Sequence, residues 1–135
     1  MNKMNVIVCG GRHVSGDDYR SKVIKVLNAL NADTPFNILI NPGDNYGAVY
    51  MAREWAKIND IPIKTFKADF NRNHHDSGHV RNTKMLDYAL YGNTNKVRVK
   101  NVLLIVFIDS YKRGVKDIIR QAEEKKLIEI LTIQL

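Results

Sequence analysis

The sequence predicts an α/β fold: a Rossmann-like three-layer sandwich with a mainly parallel five-stranded sheet. Three observations carry that expectation. Short apolar runs alternate with stretches whose apolar residues recur at helical spacing, in the order β-α-β-α-β-α-β-α-β, the pattern of strands joined by crossover helices. The strongest run, Val102–Ile108, is nearly continuous aliphatic, as expected of a strand covered on both faces. No repeat, linker or low-complexity stretch interrupts the order, so residues 1–135 read as a single domain able to bury a core.

Each element has its own signal. The apolar run at 4–9 stops at Gly10 and Gly11, a short buried strand followed by a turn. Tyr19, Val23, Val26, Leu27 and Leu30 then mark a helical face, with Asp17 or Asp18 as the expected cap. A second short strand at 38–40 is stopped by Asn41, Pro42 and Gly43. Ala48, Met51, Ala52, Trp55 and Ala56 follow on one helical stripe, so Trp55 reads as packing. Residues 61–66 suggest a third strand, and Pro62 near its start argues for a sheet edge. A polar loop at 67–76 leads into a helix at about 77–90, with Ser77 as its expected cap. Val115, Ile118, Ile119 and Ala122 mark the last helix, and residues 128–133 the last strand.

Composition narrows the function classes. The chain has 21 Lys plus Arg against 14 Asp plus Glu, a net charge of +7, which favours anionic partners such as nucleotides, phosphates or nucleic acid. The basic residues are dispersed and form no long tract. No apolar run approaches the length of a membrane span, and the first residues lack a leader pattern, so a protein without membrane association is expected. The single cysteine, Cys9, excludes an internal disulfide framework and suits a cytoplasmic location. At the end of an apolar strand it reads as a buried small hydrophobe rather than a nucleophile.

In a parallel sheet every strand-to-helix loop opens on one edge, where ligands bind near the point at which strand order reverses. Four stretches belong there: CGGRHVSGDD, NPGDNYGA, FNRNHHDSGHVRN and IDSYKRGVKD. Glycines at helix starts let a ligand approach the backbone, and helix N-termini favour anions. Gly10, Gly11, Arg12, Gly43, Asp44, Tyr46, Gly47, Asp69, Ser77, Gly78, Arg81, Asn82, Arg113 and Gly114 are the candidate ligand-binding residues. Asn82 shares an inward stripe with Met85, Leu86 and Ala89, so its amide needs partners. Arg81 beside it offers a planar fork for phosphate or carboxylate. Tyr46 and Tyr111 are candidates for stacking on a base, or plain turn tyrosines. Asp44 and Asp69 suit ribose hydroxyls, or simply turns.

Several chemistries are disfavoured. There is no GxxxxGK[ST] and no GxGxxG after the first strand, which argues against P-loop hydrolysis and ordinary hydride transfer. No GxSxG surrounds Ser15, Ser77 or Ser110. His75 and His79 lie four apart, but HExxH and a second cysteine are missing, so neither a metal nor another cofactor is expected. His74 and His75 read as solvated loop residues, with a hydrogen bond to an anion as the alternative.

The combined pattern resembles the YspA-type branch of the SLOG superfamily, a Rossmann-like group related to the LONELY GUY phosphoribohydrolases and the DprA core. The resemblance spans nearly the whole chain: Gly10, Gly11 and Arg12; Gly47, Ala48, Ala52, Trp55 and Ala56; Ala68, Asp69 and Phe70; Ser77, Gly78, Arg81, Asn82 and Met85; then Phe107, Gly114 and Asp117. It implies a pocket for a nucleotide-derived ligand, ADP-ribose-like or a cyclic nucleotide, with Arg12, Gly43, Gly47, Arg81, Asn82 and Gly114 around it. The chain departs from the family at Val49, Val115 and Ile118, where aspartate, threonine and the phosphoribohydrolase glutamate stand. Asp109 and Asp117 are the candidate substitutes for that acid, though neither stands at the matching position. Without the glutamate, binding for sensing or sequestration outranks N-glycosidic hydrolysis of a nucleotide. Single-stranded nucleic-acid binding is a further alternative, weakened by the missing basic and aromatic stripe. Related domains often pair, so a homodimer or higher homo-oligomer is part of the expectation.

Overall fold

A computed structural model describes residues 3–69, 76–92, 99–109, 115–126 and 128–135. The elements run β1 (Met4–Gly10), α1 (Asp17–Asp33), β2 (Phe36–Asn41), α2 (Gly47–Ile58), β3 (Ile63–Thr65), α3 (Ser77–Tyr91), β4 (Val102–Ile108), α4 (Lys116–Lys125) and β5 (Glu129–Gln134). The sheet order is β3-β2-β1-β4-β5, and all four strand pairs are parallel. The predicted Rossmann-like sandwich is therefore present, and its sheet is parallel throughout.

Alternation along the central strands builds two cores. Val6 and Val8 of β1, with Leu103, Ile105 and Phe107 of β4, face Val23 and Leu27 of α1 and Ala52, Trp55 and Ala56 of α2. Ile7 and Cys9, with Val102, Leu104 and Val106, face Met85, Leu86 and Ala89 of α3 and Ile118 and Ala122 of α4. Period-2 side chains meeting covers on both faces is why these strands are apolar at nearly every position; the exception in β1 is Asn5, whose Nδ2 donates to the Ala89 carbonyl at 2.9 Å. Trp55 belongs to the first core: it packs edge-on against Phe36 at 5.3 Å, and its indole N–H donates to Asn28 Oδ1 at 2.8 Å.

Some boundaries differ from the sequence expectation. Gly16 caps α1 rather than Asp17 or Asp18, which instead lie in the first turn, where carboxylates suit the positive end of the helix. Asp76 is the cap residue of α3, and Ser77 is its first helical residue. Strand β3 is shorter than the β-rich text around it, and it holds the predicted edge. Pro62 still serves the sheet, since its carbonyl accepts the Leu39 N–H at 2.8 Å, a bond that needs no donor from proline. Among the described residues no helix is long and apolar enough to cross a membrane.

The chain leaves β1 toward β2 and β3, then returns to place β4 on the other side of β1. Strand order reverses between β1 and β4, so a crevice is expected outside their carboxyl ends. Leu104 lies on β4 in the centre of the second core and is fully buried. Leu104→Ala is expected to cost about 2–5 kcal/mol of stability, read by urea denaturation. A loss below ~1 kcal/mol would mean that this core is not close-packed.

Candidate functional site

The loop after β1 is fixed by close backbone approach. Gly10 has φ +84°, and a Cβ on it would lie 2.1 Å from the Phe107 carbonyl oxygen of the neighbouring strand. The Gly11 carbonyl accepts the Ala48 N–H at 2.9 Å, tying the loop to the start of α2. Gly47, at φ +77°, permits that contact, since a Cβ there would sit 2.4 Å from the Gly11 oxygen. On the other side the His13 N–H donates to Asp109 Oδ2 at 2.9 Å, spanning the β1–β4 crevice. Arg12 sits between these ties, and its Nε is 3.7 Å from Asp44 Oδ2.

Asn41 organises the loop after β2. It is fully buried at the strand end. Its Oδ1 accepts the Gly43 N–H at 2.8 Å and Arg53 Nη1 at 3.2 Å, while its Nδ2 donates to Thr65 Oγ1 at 3.1 Å. The Asn41 carbonyl accepts the Phe66 N–H at 2.9 Å, which brings Lys67 to the same edge as Asp44. Sequence reading used Asn41 only as a strand stop and did not single out Lys67. The signal was available, because the residue after any parallel strand opens on the ligand edge.

The first turns of α3 supply the third side. Asn82 is only 5% exposed, on the inward stripe with Met85, Leu86 and Ala89, as its spacing predicts. Its Oδ1 accepts Arg81 Nε at 3.0 Å, and its Nδ2 donates to Asp117 Oδ2 at 3.0 Å. With a donor on one side and a carboxylate on the other, the amide has one satisfactory orientation. Asp117 of α4 also receives His79 Nδ1 and Arg120 Nη2 on Oδ1, each at 2.8 Å, and Gln121 Nε2 on Oδ2 at 2.8 Å. Gln121 Oε1 in turn accepts the Thr83 hydroxyl at 2.8 Å. Arg81 is thus aimed by a chain that begins on another helix.

Electrostatics follow from burial and these partners. Burial alone would raise the Asp117 carboxyl, but the hydrogen bonds from His79, Asn82, Gln121 and Arg120 outweigh it and hold the group well below the usual carboxylate range. Burial pushes the Arg81 guanidinium below its ordinary pKa; Asp44 works against that, and the like charge of Arg12 adds to it. Burial pushes the Cys9 thiol up to about 12, with the positive charge of Arg81 opposing and Asp44 reinforcing the shift. Cys9 is therefore a neutral thiol at neutral pH, in keeping with a small hydrophobe.

These walls enclose a cavity of about 550 Å3. Cys9, Gly10, Gly11, Arg12 and His13 line it from the first loop, Pro42, Gly43, Asp44 and Asn45 from the second. Lys67, Ala68, Arg81, Asn82, Val115 and Ile118 complete it. Its described lining carries three cationic side chains, Arg12, Lys67 and Arg81, against one carboxylate, Asp44. Asp69 and Ser77 line a smaller adjoining cavity, which Arg81 also borders. Gly78 lines neither, though a Cβ on it would lie 3.9 Å from Arg81 Nη2. Tyr46 is the cap residue of α2, 55% exposed, and borders neither cavity; Gly47 acts through its backbone approach alone. Arg113 and Gly114 lie outside the described residues, as do Phe70, His74, His75, Ser110 and Tyr111.

The acids offered as substitutes for a catalytic glutamate are engaged elsewhere. Asp109 accepts the His13 N–H and Asp117 holds the α3–α4 seam, and neither lines the cavity. Among the described residues no three His, Cys, Asp or Glu side chains gather as a metal site. Compared with known proteins, the chain matches no family model, no curated protein and no solved structure.

Two outcomes check this electrostatic picture. A thiol reagent at neutral pH should label Cys9 slowly in the folded protein and rapidly in denaturant; fast labelling of the native state would contradict the buried neutral thiol. The depressed Asp117 carboxyl stabilises the fold above its unfolded value of about 3.9, and that contribution is lost as pH falls through this value toward the folded one. Asp117→Asn should therefore be less stable than wild type at neutral pH, with the gap in urea midpoint narrowing below about pH 4.

Proposed function

We propose that this domain binds a phosphorylated nucleotide-derived small molecule, ADP-ribose-like or a cyclic nucleotide, and serves to sense or sequester it. The observation that carries the reading is the convergence of Arg12, Lys67 and Arg81 on one cavity walled by the Gly10, Gly11 and Gly43 backbone, at the strand-order reversal. A cleft with an excess of one charge concentrates ligands of the opposite sign. Its volume falls within the ~300–1,000 Å3 of small-molecule sites. Arg81, oriented by Asn82, offers its remaining guanidinium N–H groups for a planar two-bond contact with phosphate.

The residues that carry the SLOG resemblance support the same reading, since Gly10, Gly11, Arg12, Arg81 and Asn82 share this cavity. Ile118 supports binding over hydrolysis: the position where the phosphoribohydrolases carry glutamate faces the cavity with an alkyl side chain. Cations gathered around a cavity favour a small anion over an extended nucleic-acid strand, which calls for a charged groove with stacking platforms. The reading carries with it a cytoplasmic, homo-oligomeric protein.

Calorimetry with nucleoside mono- and diphosphates, cyclic nucleotides and ADP-ribose tests it. Wild type should bind at least one of them, and Arg81→Ala should weaken that binding by about ten- to a hundredfold, the worth of a charged hydrogen-bonded contact. Chromatography of the incubated nucleotides should show no released base. Equal binding by Arg81→Ala, or no binding to any of the panel, would remove the proposal.

A further inference from the structure

The second cavity, about 190 Å3, lies at the start of α3 and is lined in part by Lys67, Asp69, Ser77, Arg81 and Lys84. It shares Lys67 and Arg81 with the larger cavity, so these two side chains stand at the boundary. It is too small for a whole nucleotide, whose sites run ~300–1,000 Å3. It is also several times the ~30 Å3 that one water occupies. Its charge is again lopsided, with Lys67, Arg81 and Lys84 against Asp69.

Ser77 is the independent clue. It is 4% exposed, and its buried hydroxyl has no hydrogen-bond partner among the described residues. A buried hydroxyl without a partner is uncommon and calls for an explanation. Ser77 also opens α3, a helix of 15 residues whose cap residue, Asp76, makes no side-chain capping bond. First-turn N–H groups and the positive end of the helix therefore face the same region as the hydroxyl and the three cations.

Resting on the function proposed above, we propose that this cavity is a phosphoryl subsite and that the ligand is a nucleotide with two phosphoryl groups. One group lies against the glycine turns of the larger cavity. The other passes the Arg81 boundary to meet Lys84 and the Ser77 hydroxyl. Arg81 contacts both, which explains why a partly buried guanidinium is held in place by Asn82 rather than left to solvent.

The test is calorimetry on the full chain with paired nucleoside mono- and diphosphates of the four common bases, and with each monophosphate plus inorganic phosphate. The diphosphate of at least one pair should bind about tenfold more tightly than its monophosphate, as one added charged contact implies. Lys84→Gln should remove most of that advantage while leaving monophosphate affinity within about twofold, because Lys84 borders only the smaller cavity. Ser77→Ala should reduce diphosphate affinity in the same direction without lowering the urea midpoint, since it deletes an unpaired hydroxyl. Equal affinity within every pair, unchanged by Lys84→Gln, would overturn the subsite and leave the larger site standing. Failure of every nucleotide to bind would remove both. Free phosphate that strengthens monophosphate binding while diphosphates gain nothing would overturn the two-phosphoryl ligand, since the occupant is then a separate ion.

Discussion

Five strands that all run in one direction must deliver all their carboxyl ends to one edge, and this polarity is what the rest of the molecule depends on. It brings Arg12, Asp44, Lys67 and, across the sheet, Arg81 within one small space although the chain separates them widely. It also explains why the loops are tied to each other rather than to their own helices. Gly11 holds the start of α2, His13 holds Asp109, and Asn41 holds both its own turn and the exit of β3. Each bond satisfies a backbone group that would otherwise be stranded at the end of a buried strand.

The charges gathered there are costly to hold together. Arg12 and Arg81 repel each other, and burial disfavours the Arg81 charge further. Asp44, with a smaller contribution from Asp117, offsets these effects only in part, burial being the largest. Asn82 supplies a neutral acceptor instead of a second acid, so Arg81 is positioned without being neutralised. A carboxylate in place of that amide would quench the field that the cavity projects. The acid is set back on α4, where Asp117 is occupied by four donors. The arrangement separates orientation from charge compensation and leaves the cavity with an excess of positive charge.

Much of the fold was legible because burial on two faces leaves a plain record. Val102–Ile108 could hardly be anything but a central strand, and the spacing of Asn82 with Met85, Leu86 and Ala89 by itself places its amide inward. Helix caps were less legible. Gly16 and Asp76 hold positions for which the neighbouring Asp17 and Ser77 have side chains at least as favoured, because the path of the incoming loop decides which residue is the last non-helical one. The partners of Asn82 were not legible at all. Asp117 lies 35 residues away, and nothing local marks it as the residue that α3 needs. Lys67 escaped notice because it looks like any loop lysine until Asn41 draws the end of β3 against β2.

The polar seam between α3 and α4 has a consequence for how such a sequence can drift. His79, Asn82 and Thr83 on one helix and Asp117 and Gln121 on the other form a connected set of donors and acceptors, joined by Arg81 and Arg120. Asn82 is the member least free to change alone, since its buried amide serves both Arg81 and Asp117. Divergence at Asn82 therefore calls for a compensating change at Asp117, whereas the exposed Glu124 answers to Arg120 on its own helix.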